Sequence, residues 1–248
     1  MIRILVVFTW LFAFSASPIA SELEGDYLYK VSAVRAAPGS MSDLLDWIAA
    51  LKASDYFEDA GEEPPFVMRH SQGDQWDLLI ISPMGNWSDY FSDDSIINRA
   101  AAADKYAELL TSGNALLAFD EDHFAYGPSL AAFSVAYGDN DFYHIEMFEA
   151  APGKSDELFE QRRMENNYLS ATGQTANMIF SRAAGSDVDV FTIGFHKSFE
   201  AFAAPGSVSD ADKEAAAIAA GFKGRSDISF YLRSLISGHH DTLAVKVD

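Results

Sequence analysis

Apolar and polar residues alternate along residues 27–35 and again along residues 142–149. Alternation with a period of two is typical of a strand with one buried face. Each segment runs into Ala-Ala-Pro-Gly, at residues 36–39 and 150–153, and residues rich in Ser and Asp follow. After the first copy, apolar residues recur at helical spacing within Ser40–Ser54. The sequence therefore predicts one strand–turn–helix unit that occurs twice.

The remaining segments continue both copies in the same order, βαββαβ. In the first copy we predict strands at residues 66–71 and 76–82, a mostly helical stretch at 86–119 and a closing strand at 123–126. In the second copy we predict a helix at 154–169, strands at 177–182 and 188–195, helical segments at 198–223 and 227–235 and a closing strand at 242–247.

These patterns divide the chain into four segments. Residues 1–20 form a leader, and residues 21–128 form the first repeat. Gly-Pro-Ser after Tyr126 ends that repeat, so residues 129–140 are predicted to be a linker or an extra strand. Residues 141–248 form the second repeat.

The leader has the features of a signal peptide. Arg3 precedes an apolar run from Ile4 to Phe14, and small residues then offer a cleavage site after Ala20. The run is shorter than the roughly 20 apolar residues of a membrane-spanning helix, although a retained anchor is the alternative. We therefore expect an exported protein, periplasmic or extracellular if the source is bacterial.

Composition excludes several classes of chemistry and partner. The chain has no cysteine, so disulfides, thiolate metal sites, lipid attachment to a thiol and cysteine nucleophiles are excluded. A net charge of -20 argues against nucleic acid and anionic membrane surfaces as partners. We expect a small-molecule partner, and a homo-oligomer is compatible with the sequence.

Two tandem βαββαβ units, each with a long second helical segment, resemble the dimeric α/β-barrel superfamily. The resemblance rests on topology and on the internal repeat, and it covers residues 21–248. It implies an α+β fold in which two ferredoxin-like repeats of one chain pair their sheets as an intrachain dimeric α/β-barrel. Relatives of this build include antibiotic-monooxygenase-like, NIPSNAP-like and stress-responsive proteins, and the haem-binding chlorite dismutases and dye-decolourising peroxidases. None of their haem-site motifs is recognisable here.

Strand parity separates the two faces of the first strand in each repeat. Lys30 and Ser32 share one face of the first strand, and His144 and Glu146 share one face of its counterpart. These faces mix polar and apolar residues, as the lining of a ligand cavity does. We therefore predict a cavity between the two sheets, and the ligand-binding candidates are Lys30, Ser32, His70, His144, Glu146 and Arg162.

The sharpest local feature is the pair His144 and Glu146, which a single residue separates on a strand. The pair could be an acid/base couple, and it gives the catalytic candidates. It could also supply two metal ligands, with a third from another histidine. The alternative is that the pair lines a wet sheet face or makes a structural hydrogen bond. Histidines available as a third ligand are His70, His196, His239 and His240, although the last two are expected in a solvated loop.

No metal or cofactor is assigned from the sequence. The weak metal candidates are His144, Glu146 and His196, and haem or non-haem iron would be the cofactor of an enzyme built on this cavity.

Arg162 and Glu165 occupy helix positions where the first repeat has Ile48 and Leu51. If the two helices share a register, Arg162 is a candidate anion-binding group near the mouth of the cavity. In the alternative, the helix is rotated so that other side chains face inward: Phe159, Met164 and Tyr168.

The motifs of P-loop, dinucleotide-binding, serine-hydrolase and zincin proteins do not occur in the sequence. We therefore expect an exported protein that binds a small, partly apolar molecule between the two sheets. One alternative is a monooxygenase-like or haem- or iron-dependent enzyme that uses the same cavity. A second alternative is an interaction module without ligand, which predicts a filled interior.

Overall fold

The computed structural model of the chain describes residues 22–204, 206 and 208–247. The leader and cleavage site predicted within residues 1–20 lie outside the described residues. Among the described helices, none is long and apolar enough to cross a membrane.

Eight strands of the described chain close into one antiparallel barrel. Around the barrel they follow the order β1-β3-β2-β8-β5-β7-β6-β4. The strands are β1 (Tyr27–Ala36), β2 (Phe66–Gln72), β3 (Leu78–Gly85), β4 (Leu117–Gly127), β5 (Phe142–Ala150), β6 (Met178–Ala184), β7 (Val190–His196) and β8 (Ile236–Lys246).

Ten helices are formed by the described residues, and most lie outside the barrel. They are α1 (Met41–Ala53), α2 (Tyr56–Ala60), α3 (Trp87–Tyr90), α4 (Asp93–Lys105), α5 (Ala107–Asn114), α6 (Leu130–Asp139), α7 (Ser155–Ala171), α8 (Phe199–Ala203), α9 (Asp210–Ala219) and α10 (Asp227–Leu235). The predicted α+β class is confirmed.

The predicted strands are all present, but two of them are longer than expected. The strand β4 begins at Leu117, and β8 begins at Ile236. As a result, His239 and His240 lie within a strand and not in the expected loop. The alternation of side chains along β8 then points these two histidines to opposite faces.

Residues 129–140 contain the helix α6 between β4 and β5, so the prediction of an extra strand there is wrong. The side chain of Ser129 caps α6 by accepting a hydrogen bond from the backbone N–H of Ala132. Phe133 and Tyr137, one helical turn apart, are both buried against the barrel. The segment forms a helix because helical spacing places both rings, four residues apart, on the face that packs against the barrel.

The two halves of the chain share local details. Gly39 and Gly153, which end the two Ala-Ala-Pro-Gly motifs, have φ of 86° and 75° and allow the turn from strand to helix. The carboxylate of Asp77 accepts a hydrogen bond from Ala36 N at 2.9 Å. The carboxylate of Asp189 accepts the corresponding bond from Ala150 N at 2.8 Å in the second half.

The barrel interior is filled by apolar and aromatic side chains from all eight strands and α6. Members of this core cluster include Tyr29, Val31, Met68, Leu79, Ile81, Ala125, Phe133, Tyr143, Ile145, Met147, Met178, Phe180, Phe191, Ile193, Phe195 and Ala244. Two smaller clusters lie outside the barrel, one beneath α1 and one beneath α7 and α10.

The predicted polar cavity between the sheets is therefore wrong, although the parity of the strands was correct. Tyr29 and Val31 point into the barrel, so Lys30 and Ser32 point outward beneath the helices. His144 and Glu146 also point outward, because Tyr143 and Ile145 fill the interior. The large rings fill the closed barrel, and the mixed polar face lies between the barrel and the helices.

Candidate functional site

The sequence-predicted residues line two of the pockets that the described residues form between the outer surface of the barrel and the helices, one in each half of the chain. We call them the first outer pocket, between β1, β3 and the helices α1, α2 and α4, and the second outer pocket, between β5, β7 and the helices α7 and α8. Lys30 and Ser32 line the first. His144 and Glu146 line the second.

The first outer pocket has a volume of about 320 Å³ and a largely apolar and aromatic wall. Side chains of this wall include Leu44, Trp47, Ile48, Leu51, Tyr56, Phe57, Ile80 and Tyr90. Polar side chains enter from two directions: Lys30, Ser32 and Asp122 from the strands, and Glu62 and Arg99 from the helical side. Apolar walls with a few convergent polar groups are typical of small-molecule sites.

Glu62 is the most unusual group in this pocket. Its Oε1 atom is buried and has no hydrogen-bond partner among the described residues. The nearest cation is Arg99, whose Nε lies 3.7 Å from that oxygen. Burial raises the pKa of the Glu62 carboxyl, and the charge of Arg99 offsets this only in part. The carboxyl can therefore exchange a proton closer to neutral pH than an exposed glutamate does.

Two tyrosines surround this carboxyl. The guanidinium of Arg99 lies over the ring of Tyr90, 3.9 Å from Cζ to the ring centroid. Burial raises the pKa of the hydroxyl groups of Tyr56 and Tyr90, and the nearby Glu62 charge raises it further. Both hydroxyls are therefore neutral at physiological pH and can donate hydrogen bonds.

Lys30 and Ser32 are paired with the same residue, Asp122 on β4. Lys30 Nζ lies 3.3 Å from Asp122 Oδ2, and the Ser32 hydroxyl donates a short hydrogen bond to Asp122 Oδ1. The lysine and the carboxylate are more than one-third exposed, so this pair faces the open side of the pocket. A ligand can exchange with an exposed pair of this kind at little cost.

The second outer pocket is larger, about 450 Å³, and more polar. Its lining includes His144, Glu146, Glu165, Leu169, Gln174, Asn177, His196 and Phe202. Arg162 lies beneath this lining and is almost completely buried.

Arg162 lies on the buried side of α7, as Ile48 does on α1. Its guanidinium contacts Glu165 in a short ion pair, and its NH1 lies 3.6 Å from Glu146 Oε2. Its Nε also donates to Gln161 Oε1 at 2.7 Å, and the group lies over the ring of Phe148. The charge of Arg162 is therefore already compensated by protein carboxylates.

Four titratable side chains of β5 and β8 meet at the edge of this pocket. His144 Nε2 lies 3.5 Å from Asp241 Oδ1, and His239 Nε2 lies 3.3 Å from the same atom. His239 Nε2 also lies 3.9 Å from Glu146 Oε1. The structure thus adds Asp241 and His239 to the predicted pair.

The pKa values in this cluster follow from burial opposed by opposite charge. Contact with Asp241 and Glu146 raises the pKa of His239 to about 9. Burial lowers the pKa of His144, but the carboxylates of Asp241 and Glu146 outweigh it and the net shift is upward. Burial raises the pKa of Glu146, and His239 and Arg162 together bring it below its usual value.

His70 and His196 do not join this cluster. His70 lies on β2, where its Nε2 accepts a hydrogen bond from Asp74 N at 3.2 Å. His196 borders the second outer pocket and packs against Phe202. Burial and the neighbouring His144 lower the pKa of His196.

Sequence reasoning missed His123, which lies inside the barrel. It pairs with Val31 across β1 and β4 and therefore shares the inward face, where its ring contacts Phe191. Its Nε2 is buried and lacks a hydrogen-bond partner among the described residues. Burial lowers the pKa of His123 to about 4, so its imidazole is neutral at physiological pH.

The residues of a haem site are not brought together in the second outer pocket. His144 and His196 could approach an iron atom, but His144 already contacts Asp241. Haem propionates are anionic, and the described lining contains Glu146 and Glu165 but neither lysine nor arginine. This lining suits a metal cation that binds oxygen and nitrogen atoms better than it suits haem with its two anionic propionates.

No protein-family model and no curated protein sequence matches this chain significantly. Solved structures do match. An anthrone oxidase-like protein aligns with a TM-score of 0.57 and 13% identity, covering 92% of this chain and 94% of that one. A candidate monooxygenase from Lactobacillus acidophilus NCFM aligns with a TM-score of 0.50 and 10% identity, covering 90% and 95%. The chain therefore has the overall fold of these two structures, an α/β-barrel of the kind that the resemblance implied.

Proposed function

We propose that this protein binds a small, partly apolar molecule in the first outer pocket, through a planar ring and at least one hydrogen-bond donor. The observation that carries this proposal is the buried Oε1 of Glu62, which borders an aromatic-walled pocket and has no hydrogen-bond partner among the described residues. A buried acceptor left unpaired costs about 1–3 kcal/mol. A donor on the ligand removes that cost on binding, so the empty protein favours such a ligand.

The dimensions and walls of the pocket support the same conclusion. Its volume of about 320 Å³ falls at the lower end of small-molecule sites, which span roughly 300–1,000 Å³. The rings of Trp47, Tyr56 and Tyr90 offer flat surfaces on which an aromatic ligand can stack. At the open side, Lys30 can reach a polar substituent of the ligand.

We also propose that the chain consists of two repeats and that it is exported. We take the two halves to be tandem ferredoxin-like repeats, supported by the paired turns at Gly39 and Gly153 and the paired carboxylates Asp77 and Asp189. We also take the protein to act after export, supported by the apolar run and small residues of the leader.

A second candidate function is oxidation of the bound ring at this same pocket. The raised pKa of Glu62 favours it, because a carboxylate with a raised pKa is a stronger general base than an exposed one. Glu62 would take a proton from an activated ring methylene, and dioxygen would oxidise the resulting carbanion. One oxygen atom enters the product as a ketone and the other leaves as water, so no external reductant is needed. The likeness to an anthrone oxidase-like fold is compatible with such a substrate.

Binding is tested by calorimetric titration of the full chain with 1-naphthol and with 1-methoxynaphthalene. The two probes share ring size, but only the naphthol carries a donor. We expect the naphthol to bind roughly 10-fold more tightly, since one hydrogen bond to a buried carboxyl contributes about 1–2 kcal/mol. In Glu62→Met this preference disappears, whereas in the exposed control Glu58→Met it remains. Equal binding of both probes to the wild type contradicts the proposal.

The oxidase candidate is tested separately, with anthrone as the probe and dioxygen uptake as the readout. Uptake that Glu62→Gln abolishes while anthrone still binds supports catalysis by this carboxyl. Binding without uptake leaves the protein as a binding protein.

A further inference from the structure

Glu146 on β5 and Asp241 on β8 lie directly opposite each other in the antiparallel register. Directly opposed like charges destabilise a strand pair unless a cation lies between or beside them. His144 lies two residues before Glu146 on the same outer face, and His239 lies two residues before Asp241. Two carboxylates and two imidazoles therefore face one spot on the outside of the barrel.

We propose that His144, Glu146 and Asp241 form a binding site for a divalent metal ion at the edge of the second outer pocket. One ligand atom from each of the three residues lies within 4.8 Å of the other two. The set combines an imidazole nitrogen with two carboxylate oxygens, which are ligands of zinc, manganese and ferrous iron. The site lies in the other half of the chain from Glu62, so it is independent of the function proposed above.

The printed distance between two of the proposed ligands is compatible with a shared metal ion. His144 Nε2 and Asp241 Oδ1 are 3.5 Å apart. Hydrogen bonds of this type are usually about 2.7–3.2 Å long. Two ligands of a tetrahedral ion with bonds of about 2.0–2.2 Å lie roughly 3.3–3.6 Å apart.

The protein holds one oxygen of Glu146 and leaves the other for the metal. Glu146 Oε2 accepts a hydrogen bond from Thr192 at 3.2 Å and lies 3.6 Å from the Arg162 guanidinium. Glu146 Oε1 instead faces His239 Nε2, which is buried and makes no hydrogen bond of acceptable geometry. Fixing one carboxylate oxygen is how a supporting shell orients a metal ligand.

The charge balance of this cluster is compatible with a bound divalent cation. Around this spot the protein places three carboxylates, Glu146, Glu165 and Asp241, and one guanidinium, Arg162. With neutral histidines the group carries two net negative charges, which one divalent cation neutralises. Histidine protonation is the competing way to compensate these charges, and a metal titration separates the two.

Three protein ligands leave at least one coordination position open. The open side faces the second outer pocket, which His144 and Glu146 both line. A metal with an open position can bind water or a small anionic ligand, as catalytic sites do, whereas closed structural sites have four protein ligands. The inferred site is therefore an open one.

The test uses the full chain, stripped with a chelator and titrated with zinc by calorimetry and with cobalt(II) by visible absorption. We expect one ion per chain. Asp241→Asn and His144→Ala should each weaken binding by at least about 100-fold, because loss of even a supporting residue costs roughly 10- to 100-fold. Asp241 is half-exposed, so its variant is expected to fold even if His144→Ala does not.

Two histidine variants serve as matched controls. His240→Ala removes the neighbour of His239 on the opposite face of β8, and His196→Ala removes the other histidine of the pocket. Both should keep the wild-type affinity. No stoichiometric binding by the wild type, binding unchanged in Asp241→Asn, or equal loss in His240→Ala would overturn the proposal.

Discussion

The guanidinium carbon of Arg99 lies 3.9 Å from the centroid of the Tyr90 ring, and Arg99 Nε lies 3.7 Å from the buried Oε1 of Glu62. The three residues come from a loop and two helices that meet over the outer face of the barrel in the first half of the chain. This arrangement keeps a carboxyl with a raised pKa inside an aromatic pocket. The charge of the pocket therefore changes with pH as the Glu62 carboxyl gains or loses its proton.

Replacing Arg99 by methionine should destabilise the protein in a pH-dependent way. Without the guanidinium, burial raises the pKa of Glu62 further. A raised folded-state pKa means that stability is complete below the unfolded pKa and is lost as pH rises through the folded pKa. We expect Arg99→Met to cost about 1–3 kcal/mol in urea unfolding at pH 8 and less at pH 5.

The exposed control Arg233→Met should show no such pH dependence. Combining Arg99→Met with Glu62→Gln should remove the pH-dependent part of the loss. A loss that is equal at both pH values would show that Arg99 acts through packing alone.

His123 should make the protein less stable in mild acid. Its folded pKa of about 4 lies below the ordinary value near 6.5, so the unfolded chain takes up a proton first as pH falls. Stability is therefore complete above about pH 6.5 and declines by about 1.4 kcal/mol per pH unit down to about pH 4. Urea unfolding at several pH values should show a shallower slope for His123→Leu, and an unchanged slope for His240→Leu.

Asp77 and Asp189 should have equal structural roles if the two halves are repeats. Each carboxylate accepts a backbone hydrogen bond from the alanine that ends the first strand of its half. We expect Asp77→Ala and Asp189→Ala each to lower the free energy of unfolding by about 1–3 kcal/mol. Asp189 also pairs with Arg182, so Arg182→Met is needed to separate that contribution. A large effect at only one aspartate would contradict the equivalence.

Gly113 should control the position of Trp47 in the first outer pocket. A Cβ atom at residue 113 would lie 2.1 Å from Cε2 of that indole, so the ring must move. We expect Gly113→Ala to shift the tryptophan emission, to destabilise the chain by about 1–3 kcal/mol and to weaken naphthol binding. Gly138→Ala, whose added Cβ meets nothing within 4 Å, is the matched control.

The element order could be predicted from the sequence because the repeated Ala-Ala-Pro-Gly motif and the strand patterns are local signals. The assignment of faces failed for a physical reason. Parity separates Lys30 from Tyr29, but it does not say which side closes into the barrel. The face that turns inward is the one whose aromatic rings, from both halves of the chain and from Phe133 of α6, together fill the barrel interior.

The candidate sites were predictable only in part. His144 and Glu146 stand out because they are two residues apart on one strand. Asp241 and His239 repeat that spacing, but their role depends on the pairing of β5 with β8 and on the early start of β8. Glu62 and Arg99 are far apart in sequence. They come close because α2, which precedes Glu62, packs against α4, which carries Arg99.

The most direct test of the account is naphthol binding to a chain whose first outer pocket has been filled. Ile80→Trp places a large ring in that pocket, and Leu169→Trp does the same in the second outer pocket. We predict by calorimetry that Ile80→Trp weakens 1-naphthol binding at least about 10-fold, the loss of about 1.4 kcal/mol, while Leu169→Trp leaves it unchanged. Binding that survives Ile80→Trp, or that is lost only in Leu169→Trp, would place the ligand elsewhere and contradict the account.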